Sequence, residues 1–309
     1  MAGPIANILI LGGTGWLGRT LAGHALAAGH AVTCLARGES GAFAPRARAV
    51  VVDRDEPGAY GDVAGPWDLV VELTSRPAHA RGALGAVSAA HWTFVSSCSV
   101  YADHSVPGGD EYTALLPANA GSEDYGEAKS ACERLTREAF GGALVVRPGL
   151  IGGPGDPSGR TTYWPLRFAD PREPVLVPVA DQHVQLIDVR DLAAFILAAG
   201  RAGASGAVNV VGAAVPLAEA LSVAGRRRAG PRAWSTTRRR GWTTTAWRPG
   251  AVRARCRWCC RWVTTTPGSR SARTRWPWRW AWPGGRCWTR SATSLPPRRH
   301  WATGCSAPG

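Results

Sequence analysis

The chain has 309 residues, with 36 Lys and Arg against 22 Asp and Glu and a formal net charge of +14, a length that suits about two domains. No span reaches the ~20 apolar residues needed to cross a bilayer, and Met1 to Ala6 lacks the charged start and long apolar run of a secretory signal, so a cytoplasmic protein with no membrane partner is expected. The eight cysteines show no disulfide framework, and Cys256-x-x-Cys259-Cys260 has no regularly placed second pair, so no metal is expected.

Ile5 to Leu11 is a short apolar run of strand length, and Leu17 to Ala28 reads as a helix with Leu17, Leu21 and Ala25 on one face. Between and into them runs Gly12-Gly13-Thr14-Gly15-Trp16-Leu17-Gly18. A glycine-rich turn with no ligand would look the same in isolation. Placed between a strand and a helix, the glycines allow a tight turn and close approach to a pyrophosphate, which the helix N-terminus favours. Gly12, Gly13, Gly15, Trp16, Leu17 and Gly18 are therefore candidate cofactor-binding residues.

The next strand, Ala31 to Ala36, ends at Arg37-Gly38-Glu39, where a dinucleotide fold tests the adenosine ribose. An acid there accepts from the 2′-hydroxyl of NAD, whereas an arginine pairs with the 2′-phosphate of NADP. Arg37 tilts the expectation toward NADP, and Glu39 keeps NAD open. A third strand, Ala49 to Asp53, puts Asp53 where a carboxylate could meet the adenine amino group or simply cap a turn. Strands at Leu69 to Leu73 and Trp92 to Val95 alternate with a helix over Ala78 to Ala90. This alternation predicts a doubly wound parallel α/β sheet of Rossmann type, with ligands at the carboxyl ends of the strands. Ser96 and Ser97 fall at such an end.

Glu123 to Phe140 reads as a helix with Tyr125 and Lys129 one turn apart on one face. An ordinary amphipathic helix can show that spacing, but Lys129 is the only lysine in the chain. A free phenol titrates near ~10. A neighbouring ammonium and an oxidised nicotinamide would lower that value and make the tyrosine a usable acid or base. Ser97 would steady the substrate oxygen. Tyr101 is the weaker candidate acid because it has no lysine at helical spacing.

With Phe94 to Tyr101 (FVSSCSVY), Tyr125 to Lys129 (YGEAK), Arg147 to Gly155 (RPGLIGGPG) and Ile187 to Leu192 (IDVRDL), the sequence resembles the extended short-chain dehydrogenases/reductases, in the NAD-dependent epimerase/dehydratase branch, over about residues 5 to 225. The resemblance implies Ser97, Tyr125 and Lys129 as catalytic residues, with Tyr125 the acid/base and Lys129 on the nicotinamide ribose. It also implies Asp53 and Arg54 at adenine, Leu73 on the adenosine side, and Pro148 to Ile151 at the nicotinamide face. Cys98 and Ser99 stand where dehydratases of the family carry an Asp-Glu pair, which disfavours sugar dehydration. Arg147-Pro148-Gly149-Leu150 departs from the nucleotide-sugar epimerases, so a simple carbonyl reductase competes with an epimerase.

Residues 1 to 155 are expected to form the NAD(P)-binding domain. Residues 156 to 225 start a smaller substrate lobe, interleaved with a return to the first domain through Asp188 to Gly200. From Arg226 the composition changes: 20 of the 36 basic residues, 11 of the 15 tryptophans and none of the acids lie there. Asp, Glu, Lys, Asn, Gln, Ile, Met, Phe and Tyr are all missing from this stretch. A reading-frame slip near codon 226 explains the simultaneous loss of whole residue classes, and 226 to 309 is expected to be an irregular, non-native tail. An Arg/Trp arm on nucleic acid and a membrane-surface segment compete with that reading.

The functional expectation is an NAD(P)-dependent oxidoreductase or epimerase acting on a small molecule with a carbinol or carbonyl, touching nucleic acid only nonspecifically through the tail. Alternatives of other kinds are an RNA-binding relative of the same fold and a cofactor-binding protein without turnover. The sequence leaves the oligomeric state open.

Overall fold

A computed structural model describes residues 7–169 and 182–226, together with two short strands further along. The first strand, β1 (Asn7–Leu11), leads into α1 (Trp16–Ala27), β2 (Ala31–Ala36) and β3 (Arg48–Val51). Then come β4 (Leu69–Glu72), α2 (Pro77–Ala86), β5 (Trp92–Val95), α3 (Tyr125–Ala139) and β6 (Leu144–Pro148). The chain continues through β7 (Leu150–Gly152), α4 (Tyr163–Ala169), β8 (His183–Asp188), α5 (Val189–Arg201), β9 (Gly206–Val210), β10 (Ala214–Pro216) and α6 (Leu217–Arg226). Ile5 and Ala6, expected in the first strand, lie outside the described residues.

Seven strands form one sheet in the order β3-β2-β1-β4-β5-β6-β9, and every pairing in it is parallel. The expected doubly wound α/β fold is thus the observed one. All residues of β4, β5 and β6 are buried, as continuous apolar runs must be when helices cover both faces of a sheet. After β1 the chain winds first toward β3 and, from β4, the other way. Right-handed crossovers consequently put α1 on the face opposite α2 and α3, with α5 packed on α1 and α2 on α3. The reversal leaves a crevice at the carboxyl ends of β1 and β4.

A second sheet, β10-β8-β7, pairs β7 with β8 in parallel and β8 with β10 antiparallel. Beside it Phe168 of α4 packs on Leu217 and Leu221 of α6, with Trp164 and Val184 closing the cluster. Separately, Trp280–Ala281 (β11) and Cys287–Trp288 (β12) form a two-residue antiparallel ladder. The rest of the Arg/Trp-rich stretch lies outside the described residues.

Two boundaries differ from expectation for local reasons. The helix expected to reach Ala90 ends at Ala86 because Val87 is extended and the backbone of Ser88 is claimed by Ala64 and Trp67 at 2.8 and 3.0 Å. The helix expected from Glu123 starts at Tyr125 because the Asp124 carboxylate caps it, accepting from the Gly126 and Glu127 amides at 2.8 and 3.1 Å.

A buried ion pair ties β6 to α3. Arg147, 1% exposed, meets Glu133 at two points, Nε to Oε1 at 2.9 Å and Nη2 to Oε2 at 2.7 Å. Its Nη1 donates to the Tyr101 hydroxyl at 3.0 Å and to the Glu111 carbonyl at 3.1 Å. Removing one member of such a pair strands the other charge in the interior. Arg147→Ala is therefore expected to cost about 3–5 kcal/mol, read as a lower urea midpoint. Arg137→Ala, which removes a half-exposed partner of the same carboxylate, should cost roughly 1 kcal/mol or less.

Candidate active site

The glycine turn closes the crevice from one side. Gly12 has φ +104°, a backbone that favours glycine, and donates its amide to the Leu35 carbonyl at 2.8 Å. A side chain on Gly13 would collide with Cys34 of β2, and one on Gly18 with the Gly12 carbonyl. Helix α1 begins at Trp16, with Gly15 as an N-cap that offers no side-chain bond and no acid in the first turn. The close backbone packing and the uncapped helix start fit the pyrophosphate of a dinucleotide. Trp16 reaches out of the turn, its indole N–H donating to the Pro154 carbonyl beyond β7 at 2.9 Å, while Leu17 lies within the first turn of α1.

At the end of β2, Arg37 pairs with Glu39 at 3.0 Å and with Asp53 at 3.6 Å. The structure thus gathers Arg37, Glu39 and Asp53 at one edge, all at least partly exposed. Arg54 is placed differently. Its guanidinium is directed inward to both oxygens of Glu72, to the Tyr60 hydroxyl at 2.9 Å and to the His79 carbonyl at 2.9 Å. Glu72, fully buried in β4, also accepts from the Thr74 amide at 2.9 Å. Next to Asp53, Asp55 holds Arg76 at 2.6 Å and His79 at 2.9 Å.

Ser97, Tyr125 and Lys129 meet at the carboxyl ends of β4 and β5. Ser97 opens a short turn at the end of β5, its Oγ accepting from the Ser99 amide at 3.1 Å. The Ser97 hydroxyl lies close enough to the Tyr125 phenol to favour its ionised form. Lys129, 3% exposed, donates to the carbonyls of Thr74 and Val95, each at 2.7 Å, and to Leu73 at 3.4 Å. Leu73 is also the residue that faces Gly12, where an added Cβ would lie 3.2 Å from the Leu73 Cβ. One residue, through its carbonyl and its side chain, thus joins the lysine to the glycine turn. Pro148 ends β6 and pairs with Val210 of β9.

The electrostatics of the tyrosine differ from expectation. Burial raises the Tyr125 phenol above its ordinary 10, and the opposing pull comes from the Ser97 hydroxyl and the Arg160 charge. Lys129 faces the tyrosine ring, 5.9 Å from its centre, because three carbonyls hold its ammonium elsewhere. Burial in turn pulls Lys129 down from 10.5 to about 8. Tyr101 is committed to the core, donating to Asn209 Oδ1 at 2.6 Å and accepting from Arg147.

Several contributors escaped the sequence reading. Asp124 and Glu127 form the cap signature of an acid three residues before a glutamate, a visible sign of where α3 begins. Gly126 lets the first turn of α3 lie against the Ser99 carbonyl and Leu116, which sets Tyr125 beside Ser97. Arg160 falls in the stretch expected to start the substrate lobe, and its influence on the Tyr125 phenol had no local signal.

Residues 62–212 match the model of the NAD dependent epimerase/dehydratase family, which bears out the resemblance read from the motifs and associates this span with NAD-dependent enzymes. No curated protein matches the chain. Among solved structures, the "putative epimerase" from Burkholderia cenocepacia J2315 is 25% identical, with 72% of this chain and 81% of that one covered and a TM-score of 0.61. UDP-N-acetylglucosamine 4-epimerase from Bacillus cereus is 19% identical, with coverages of 72% and 81% and a TM-score of 0.56. UDP-glucuronic acid 4-epimerase from Bacillus cereus, solved in complex with NAD, is 16% identical, with coverages of 69% and 81% and a TM-score of 0.55. The last two share the fold.

The lowered Lys129 value has a consequence for stability. Between about 8 and 10.5 the unfolded chain holds more protons at this position than the folded chain, so stability rises with pH across that window. Urea midpoints of the wild type should climb there relative to Lys129→Met. Parallel pH curves for the two would contradict the burial of this ammonium.

Proposed function

We propose that this chain, whose residues 62–212 carry an NAD dependent epimerase/dehydratase family domain, is an NAD(P)-dependent oxidoreductase whose Tyr125 exchanges a proton with a carbinol or carbonyl oxygen. The observation that carries this reading is the approach of Ser97 to the Tyr125 phenol, one helical turn from a buried ammonium, at strand ends joined through Leu73 to the glycine turn. A bound nicotinamide supplies a hydride donor for a carbonyl or an acceptor for a carbinol. Ser97 orients the substrate oxygen. Tyr125 gives that oxygen a proton as the carbonyl becomes a carbinol, and takes it back in reverse. The raised phenol keeps that proton in place at neutral pH, which supports reduction as the working direction. Lys129 lines the ribose side and, held by three carbonyls, fixes the helix that carries Tyr125.

In the same reading, Gly12 to Gly18 and the start of α1 take the pyrophosphate, Asp53 the adenine, Leu73 the adenosine side and Pro148 to Ile151 the nicotinamide face. Arg54 acts from behind through Glu72 and Thr74. Residues 156 to 225 begin the substrate lobe. For the finer choice of cofactor, Arg37 favours NADP, because a 2′-phosphate can replace Glu39 and Asp53 as its partner at little desolvation cost on an exposed edge.

Tyr125→Phe should lower the rate of NAD(P)H-dependent carbonyl reduction about 100-fold or more and leave cofactor affinity within roughly twofold, read by fluorescence titration; an unchanged rate would remove Tyr125 from the reaction. Arg37→Ala should cut NADPH affinity about tenfold relative to NADH, the size of one charge-assisted contact. A constant ratio of the two affinities would end the phosphate role.

A further inference from the structure

Lys129 draws on a turn that an extended strand does not provide. Successive carbonyls of a strand point to opposite edges, yet those of Leu73 and Thr74, just past the end of β4, both accept from one ammonium, at 3.4 and 2.7 Å. The chain is bent there by Glu72, the last residue of β4, whose Oε1 accepts from the Thr74 amide two residues on at 2.9 Å. Thr74 Oγ1 continues the bend by accepting from the amide of Arg76, the residue before α2, at 3.0 Å. Glu72 is fully buried, so no water stands ready to take its place. Its aim is fixed by Arg54, which gives Nη1 to Oε1 at 2.9 Å and Nη2 to Oε2. Arg54 is itself held by the Tyr60 hydroxyl and the His79 carbonyl, each at 2.9 Å.

We propose that Glu72 is a positioning residue of the Tyr125 site: by holding the Thr74 amide it bends the chain so that the Lys129 ammonium meets three carbonyls at once, and Arg54 is the clamp that keeps its carboxylate aimed. The bearing on proton transfer rests on the oxidoreductase reading above; the placement of the ammonium does not. A buried glutamate and arginine are costly to desolvate, and an apolar pair of similar volume often serves a core as well. What an apolar pair lacks is an acceptor for the Thr74 amide. Without that acceptor the bend relaxes toward an extended strand, and the carbonyls of Leu73 and Thr74 no longer converge. The ammonium, 4.9 Å from the centre of the Phe94 ring and 5.9 Å from that of Tyr125, is then left among aromatic faces with the Val95 carbonyl as its remaining acceptor of the three. Lys129 loses the bonds that pin α3 over the strand ends, and Tyr125, one turn earlier, loses its fixed place beside Ser97.

The test follows the titration of Lys129 by NMR in the full chain grown with isotope-labelled lysine, where it gives the one lysine signal. Two double variants remove the buried charge pair alike and differ only in the acceptor. Arg54→Met/Glu72→Gln keeps an oxygen within reach of the Thr74 amide, and Arg54→Met/Glu72→Met does not. The direct charge of Glu72 on the ammonium is absent from both, and the other titratable groups near it, Tyr125, Cys132 and Glu133 of α3, are common to both, so a difference reads the bend. An ammonium that stays buried and loses acceptors is less favourable, so the Met variant should titrate about one pH unit or more below the Gln variant. Glu72→Asp, which keeps the charge and draws the acceptor back by one methylene, should titrate below the wild type and decides the matter if the Met variant does not fold. Urea midpoints on the same samples separate the effect from a general loss of stability. The proposal is overturned if the folded Met and Gln variants titrate together, if the Met variant titrates higher, or if Glu72→Asp titrates with the wild type. NADH that fails to bind the wild type counts against the oxidoreductase reading alone, since the titration needs no cofactor.

Discussion

The arrangement of this site depends on one buried charge. An ammonium taken out of water is costly unless its donors are satisfied, and Lys129 meets that demand with the carbonyls of Thr74, Val95 and Leu73. Those carbonyls converge because β4 and β5 are adjacent and parallel, so both strands end on the same side. Bonding to them pins α3 across the strand ends. Tyr125, one turn before Lys129, is thereby delivered to Ser97.

The surroundings reinforce that placement with charges of their own. Arg54 is locked on Glu72, Glu72 holds the Thr74 amide, and the Thr74 carbonyl holds Lys129. On the other side of α3, Arg147 grips Glu133 and fixes the same helix to β6. Two buried ion pairs thus bracket the helix that carries Tyr125 and Lys129. Each pair offsets its own desolvation, and the gain is positional more than energetic.

A related economy links the two ends of the crevice. Leu73 faces Gly12 through its side chain and Lys129 through its carbonyl, and Trp16 ties the glycine turn to the loop that presents Arg160. The glycine turn, the lysine and the loop after β7 are therefore mechanically connected by single residues.

Much of this was legible in the amino-acid order. β2 and β5 fall where the apolar runs of Ala31–Ala36 and Trp92–Val95 predicted them, because fully buried strands announce themselves as unbroken hydrophobic stretches. The spacing of four between Tyr125 and Lys129 and the glycines at 12, 13, 15 and 18 are likewise local patterns with a local cause. Tertiary structure decided the rest. It turned Arg54 inward to Glu72, directed the Lys129 ammonium to carbonyls and away from the phenol, raised Tyr125 by burial, and brought Arg160 into range of a tyrosine 35 positions earlier in the chain. Periodicity and capping depend on neighbours within a turn or a strand, whereas the charge and solvent exposure of a side chain depend on groups that only the folded sheet makes adjacent.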